Sequence, residues 1–313
     1  MRNLYLRKKT AAEIDEQVQK VLRDLGNPKP PLRLGDVREL LKLERHVYSK
    51  DSDGILQETI SRLKVAGKQI LRRPALLLEA IRQAELKALY VPDRKIILID
   101  DTEPDIKQRW NESHEIAHSL LEWHGSVLLG DNRLTLNLVC HDQIEAEANF
   151  GAGRLLFLQD EFERVARDAK CRMADIRSIG TAFGNSITST LWRFVELVDR
   201  PVLGVVSQHP RYTDENFDPL HPCRYFIRSA SFAQRFAKAE ETKIFALLRS
   251  RCSWKKSGPI ADDEVEFMDD DGRQHLFQLE AFHNRHETLA LFVHKRLIEE
   301  QVVVAAPLVT GAK

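Results

Sequence analysis

The segment that most constrains this chain is WNESHEIAHSLLE, residues 110–122. Ile116, Ala117, Leu120 and Leu121 recur at helical spacing, so the segment reads as a buried helix. His114 and His118 are four residues apart, which sets them about 40° apart and one turn up. Two imidazoles therefore face one point. Buried histidines need polar partners, and a metal ion is a partner that both can share. Glu115 lies about 100° round from His114, beside that point rather than on it, where it can take a proton. Zinc lowers the pKa of a water that it holds to about 7, so a carboxylate base suffices at neutral pH. A chance HExxH arises in roughly a few per cent of chains with this many histidines, and the helical context reduces that share.

A catalytic zinc needs a third protein ligand. His124 follows His118 by six residues. If SLLEWH continues the helix, six residues turn about 600° and carry His124 to the wrong face. It then reads as a polar residue at a helix end. The segment QIEAEANFGAGRLLF (143–157) supplies other candidates. Ala148, Gly151 and Ala152 are small enough for a second helix to pack closely. Glu145 and Asn149 share one face at i and i+4, the ExxxD-type arrangement of gluzincins. There the glutamate binds metal and the residue four on hydrogen-bonds a histidine ligand. Glu147 points elsewhere, reads as a solvated charge and is the fallback ligand. A donor for the oxyanion of a tetrahedral intermediate is also required. His141 is the first candidate, with Tyr90 and Arg109 as other options.

Around this segment the pattern changes twice. Ile14, Val18, Val21, Leu22 and Leu25 line one face of a helix over 10–25, with Thr10 and Glu13 spaced as a capping box. Short helices are expected over 34–43, 58–71 and 74–87, with a strand start at Gly54. Residues 88–101 suit a hairpin around Pro92. A strand is expected over 133–139, then helices over 143–158, 161–172 and 174–197. Beyond Pro201 the chain turns strand-rich, with strands over 202–207, 224–228, 264–268, 274–282 and 288–295 and one helix over 231–250. The reading is α+β. A mainly helical domain with a small sheet occupies 1–200, including helix-turn-helix-like helices over about 161–197. A separate α+β domain occupies 201–313.

Composition excludes several classes. Lys plus Arg and Asp plus Glu both number 47, so no net charge draws the chain to nucleic acid or anionic membranes. Cys140, Cys171, Cys223 and Cys252 are scattered, as expected of reduced thiols in the cytoplasm. No apolar run spans a membrane, and the basic N-terminus lacks an apolar core.

Together these segments resemble the ImmA/IrrE family of metallo-endopeptidases over residues 10–200. The resemblance is carried by the AxxIxxxVxxVL pattern from Ala11 to Leu22, Pro30-Pro31-Leu32, Gly54–Leu56, Arg109-Trp110, HEIAH, His124, EAEANFGAGRLLF and the segment from Thr181 to Phe194. It implies a gluzincin-like fold holding one catalytic zinc, with manganese as the alternative metal. The implied activity is limited proteolysis of a helix-turn-helix repressor of the XRE type, which relieves repression. Residues 201–313 are then regulatory or sensing. A second reading is a DNA-binding or protein-binding regulator on the same scaffold with a structural metal. Against it, the second helix of 174–197 offers only Arg193 as a base or phosphate reader, so direct nucleic-acid binding is not expected. A structural zinc closed by Cys140 or His141 would leave Glu115 idle.

Overall fold

A computed structural model describes residues 6–48, 88–92, 95–124 and 138–298, with only the backbone described for Tyr48 and 138–142. The helices expected over 58–71 and 74–87, the strand start at Gly54 and most of the strand expected over 133–139 lie outside the described residues. The chain divides into two compact units, Met1–Ala169 with Ile176–Thr190, and Lys170–Asp175 with Leu191–Lys313.

In the first unit, helix α1 (Lys8–Asp24) buries Ile14, Val18, Val21 and Leu22. It begins at Lys8 on an Arg7 N-cap without a side-chain cap, so the expected Thr10–Glu13 capping box does not form. Glu13 faces Lys9 instead, at 3.8 Å. Helix α2 (Leu34–Leu41) ends on a left-handed Lys42. Strand β1 (Glu44–Tyr48) was not expected, because ERHVY has no apolar face of its own; pairing in parallel with β3 (Ile96–Asp100) makes it a strand. The expected hairpin is present as β2 (Ala88–Val91) against β3, in register Ala88 to Ile99, and the sheet order is β1-β3-β2.

Helix α3 (Asp105–Leu120) packs on β2 and β3, whose Ile97, Leu98 and Ile99 are buried. Its buried Glu112 pairs with Arg38 at 2.7 Å and Arg45 at 3.4 Å, tying α2 and β1 to it. Helix α4 (Leu138–Leu156) begins five residues before the expected 143. It meets α3 through Ala117, Ala148 and Ala152, all buried. A Cβ on Gly151 would stand 3.1 Å from Ala117 Cβ and 3.4 Å from Ile14 Cγ2, so the absence of a side chain lets α4 close on both α3 and α1. Arg154 bonds Asp15 on α1, and Glu163 on α5 (Asp160–Asp168) at 3.1 Å. Phe157, Phe162 and Phe183 interlock beside them. Helices α6 (Met173–Phe183) and α7 (Ile187–Leu197) are separated by a turn at Gly184, whose φ of 66° favours glycine. Asn185 there donates to the Leu156 carbonyl at 3.2 Å.

The second unit carries an antiparallel sheet, β5-β4-β8-β7-β6, built from β4 (Val202–Ser207), β5 (Cys223–Arg228), β6 (Gly258–Met268), β7 (Gln274–His283) and β8 (Thr288–Leu297). The single helix expected over 231–250 is two, α8 (Ala230–Arg235) and α9 (Glu241–Arg251). The break has a tertiary cause. Asp270, from the β6–β7 turn, accepts the backbone N–H groups of Ala237 and Lys238 at 2.9 and 3.1 Å, and Phe236 turns inward to stack on Phe232. Among the described residues no helix is long and apolar enough to cross a membrane.

Candidate metal centre

The close approach of α3 and α4 brings His114, His118 and Glu145 together. One donor atom from each lies within 4.8 Å of the others. Glu145 Oε2 is 3.1 Å from His114 Nε2, Glu145 Oε1 is 3.6 Å from His118 Nε2, and the two Nε2 atoms are 3.1 Å apart. Asn149, one turn beyond Glu145, sets Oδ1 3.1 Å from His114 Nδ1. Two imidazoles and a carboxylate converging from two rigid helices form a donor set that suits zinc.

Burial would raise the pKa of Glu145, but hydrogen bonds from His114 and His118 outweigh it and hold the carboxyl well below its usual range. His114 shifts the other way. Burial opposes its charge, yet the bond to Glu145 and the nearby Glu115 raise its pKa. Glu115 is buried, and that burial raises its pKa against the pull of His114 and His118 and a hydrogen bond from the Tyr90 backbone. A carboxylate made more basic beside a cation site is suited to accept a proton.

His124 departs from expectation. The helix does not continue through SLLEWH. It ends at Leu120, Leu121 is extended (φ −100°, ψ 96°), and residues 122–124 are helical again. That break swings His124 back into the interior, where it is fully buried with Nδ1 2.9 Å from His118 Nδ1. Burial pushes its imidazolium down to about 4, more than the neighbouring Glu147 offsets. Glu147 is also not the solvated charge expected. It is 3% exposed, takes Trp123 Nε1–H at 2.7 Å and Gln143 Nε2–H at 3.0 Å, and lies 3.0 Å from His124 Nε2. The structure does not bring Glu147 to the three converging donors. Helical periodicity held no signal for this pair, because their meeting depends on the bend at Leu121. The physical hint was that a histidine close to an apolar helix requires a partner.

Arg109 sits against the Gly184 turn, with Nη2 3.5 Å from the Phe183 carbonyl. Tyr90 contributes its backbone N–H to Glu115. His141 lies in the first turns of α4, outside the described side chains.

Residues 75–194 match the peptidase M78 family model, described as the IrrE N-terminal-like domain. This segment resembles an IrrE N-terminal-like domain. The domain contains both helices of the metal centre, and its end coincides with α7. No curated protein matches the chain. A solved structure named as a Mycobacterium tuberculosis transcriptional regulator is similar at TM-score 0.51 and 13% identity, covering 94% of this chain and 78% of its own. At that identity the likeness is one of fold. The IrrE N-terminal-like domain thus supplies a peptidase-family scaffold and a His/His/Glu group that could hold a metal.

Proposed function

We propose that this protein is a zinc-dependent endopeptidase making a limited cut in a protein substrate, a helix-turn-helix transcriptional repressor of the XRE type, and so relieving repression. The observation that carries this reading is the convergence of His114, His118 and Glu145 beside a buried Glu115, inside an IrrE N-terminal-like domain. The similarity to a transcriptional regulator supports a regulatory setting.

His114, His118 and Glu145 would hold the ion, and Asn149 would orient His114. Bound zinc supplies Lewis acidity, activating water and polarising the scissile carbonyl. Glu115 takes the proton from the attacking water, its basicity raised by burial, and returns it to the leaving amine. His141 is the proposed hydrogen-bond donor to the carbonyl oxygen under attack.

The test is Glu115→Gln, assayed for cleavage of the cognate repressor and for bound zinc. Cleavage falls at least about 100-fold, the usual scale for a lost general base, while zinc stays stoichiometric. Undiminished cleavage in Glu115→Gln would overturn the role of Glu115, and a zinc-loaded wild type that regulates without cutting the repressor would overturn the peptidase reading in favour of a regulator with a structural metal.

A further inference from the structure

We infer that Glu147 and His124 are positioning residues of the metal centre: Glu147, through His124, sets the tautomer and orientation of His118. This rests on the zinc-site reading above and adds two residues to it.

The chain of contacts leaves one arrangement of protons. An ionised carboxylate only accepts hydrogen bonds. Glu147 Oε2 lies 3.0 Å from His124 Nε2, so the neutral His124 carries its proton on Nε2 and donates it there. Its Nδ1 is then a lone pair. That atom stands 2.9 Å from His118 Nδ1, a separation that requires one proton between the two nitrogens. The proton therefore belongs to His118 Nδ1. A neutral His118 protonated at Nδ1 presents its lone pair at Nε2, the atom that faces His114 and Glu145. His118, His124 and Glu147 are 4%, 0% and 3% exposed, so solvent does not compete for these bonds.

Glu147 is itself held. Trp123 donates to Oε2 and Gln143 to Oε1, so both oxygens are already engaged. This distinguishes it from a third or fourth ligand. The two histidines of the centre are thus oriented by different means: His114 directly by the Asn149 amide, His118 by a carboxylate acting through a second imidazole. Partners that fix a ligand histidine in this way typically contribute about 10–100-fold in metal affinity.

The experiment compares zinc affinity of the full-length wild type with Glu147→Ala, Glu147→Gln, His124→Phe and His118→Ala. Competition against a chromophoric chelator ranks them, and far-UV circular dichroism checks the fold. Ring ¹⁵N spectra of the zinc-loaded wild type report which His118 nitrogen is protonated. Glu147→Ala and His124→Phe are expected to bind zinc about 10–100-fold more weakly with an unchanged fold. Glu147→Gln keeps an acceptor oxygen and recovers most of the loss. His118 is expected to carry its proton on Nδ1. Wild-type affinity in Glu147→Ala overturns the inference, and so does a loss as complete as that of His118→Ala, which would make Glu147 a ligand. If the alanine variant does not fold, a zinc-loaded His118 coordinated through Nδ1 overturns it on the wild type alone. A wild type that takes no zinc would instead remove the metal-centre reading and this one with it.

Discussion

Individual residues in this protein separate cleanly by what surrounds them. Gly151 and Gly153 are two positions apart on α4, yet only Gly151 lies at a close helix contact. A Cβ at Gly153 would meet nothing within 4 Å. Gly153→Ala should therefore stabilise the protein by about 0.5–1 kcal/mol, since alanine reduces the unfolded chain's freedom at no steric cost. Urea unfolding of the variant would show it, and a destabilised Gly153→Ala would contradict this geometry. Asp269 is a second case. Burial would raise its pKa, but the Arg273 backbone N–H, His275 and the Arg273 guanidinium outweigh this and hold it well below the carboxylate range. A depressed folded pKa contributes stability above the unfolded pKa and loses it as pH falls through the folded one. Asp269→Asn should thus be destabilising at pH 7, with the gap to wild type closing below about pH 4, the ordinary aspartate range. A gap that widened in acid would reverse the assigned sign.

At the scale of elements, the metal centre depends on how closely α3 and α4 approach. Ala117, Ala148 and Ala152 fill their contact, and each is at most 1% exposed. Ala148→Leu inserts a larger side chain there. Overpacking of this kind typically costs about 1–3 kcal/mol. Because Glu145 rides on α4 and the histidines on α3, the same substitution should also weaken zinc binding. Normal zinc affinity in a destabilised Ala148→Leu would show that the ligands adjust independently of the helix contact. These helices were legible in the sequence from their apolar spacing. The end of α3 was not, because no proline or glycine marks it before Gly125. Nor was β1, whose extended form comes from pairing with β3, nor the break between α8 and α9, made by a carboxylate distant in sequence.

For the whole molecule, two compact units imply separable responses to metal. The centre lies in the unit containing α3 and α4. A ligand that binds only the folded state stabilises it by RT ln(1 + [L]/Kd), about 2.7 kcal/mol at a hundredfold excess over Kd. Calorimetry with and without zinc should resolve two transitions and shift one of them upward. Equal shifts of both would show that the units unfold as one. The expectation that residues beyond 200 do not build the centre is open to the same measurement.

What the sequence determined by itself is the part carried by local periodicity and spacing. HExxH on an apolar helix sets two imidazoles on one face, and Glu145 and Asn149 at i and i+4 share another. The five strands after Pro201 follow equally from alternation and apolar runs. Tertiary structure alone decided the surroundings of those residues. The extended Leu121 turned His124 inward, and Trp123 and His124 from beyond that bend met Glu147. Such outcomes depend on which polar groups become buried together. Burial leaves each of them in need of a partner, and that partner can lie more than twenty residues away, where no helical or strand period reaches.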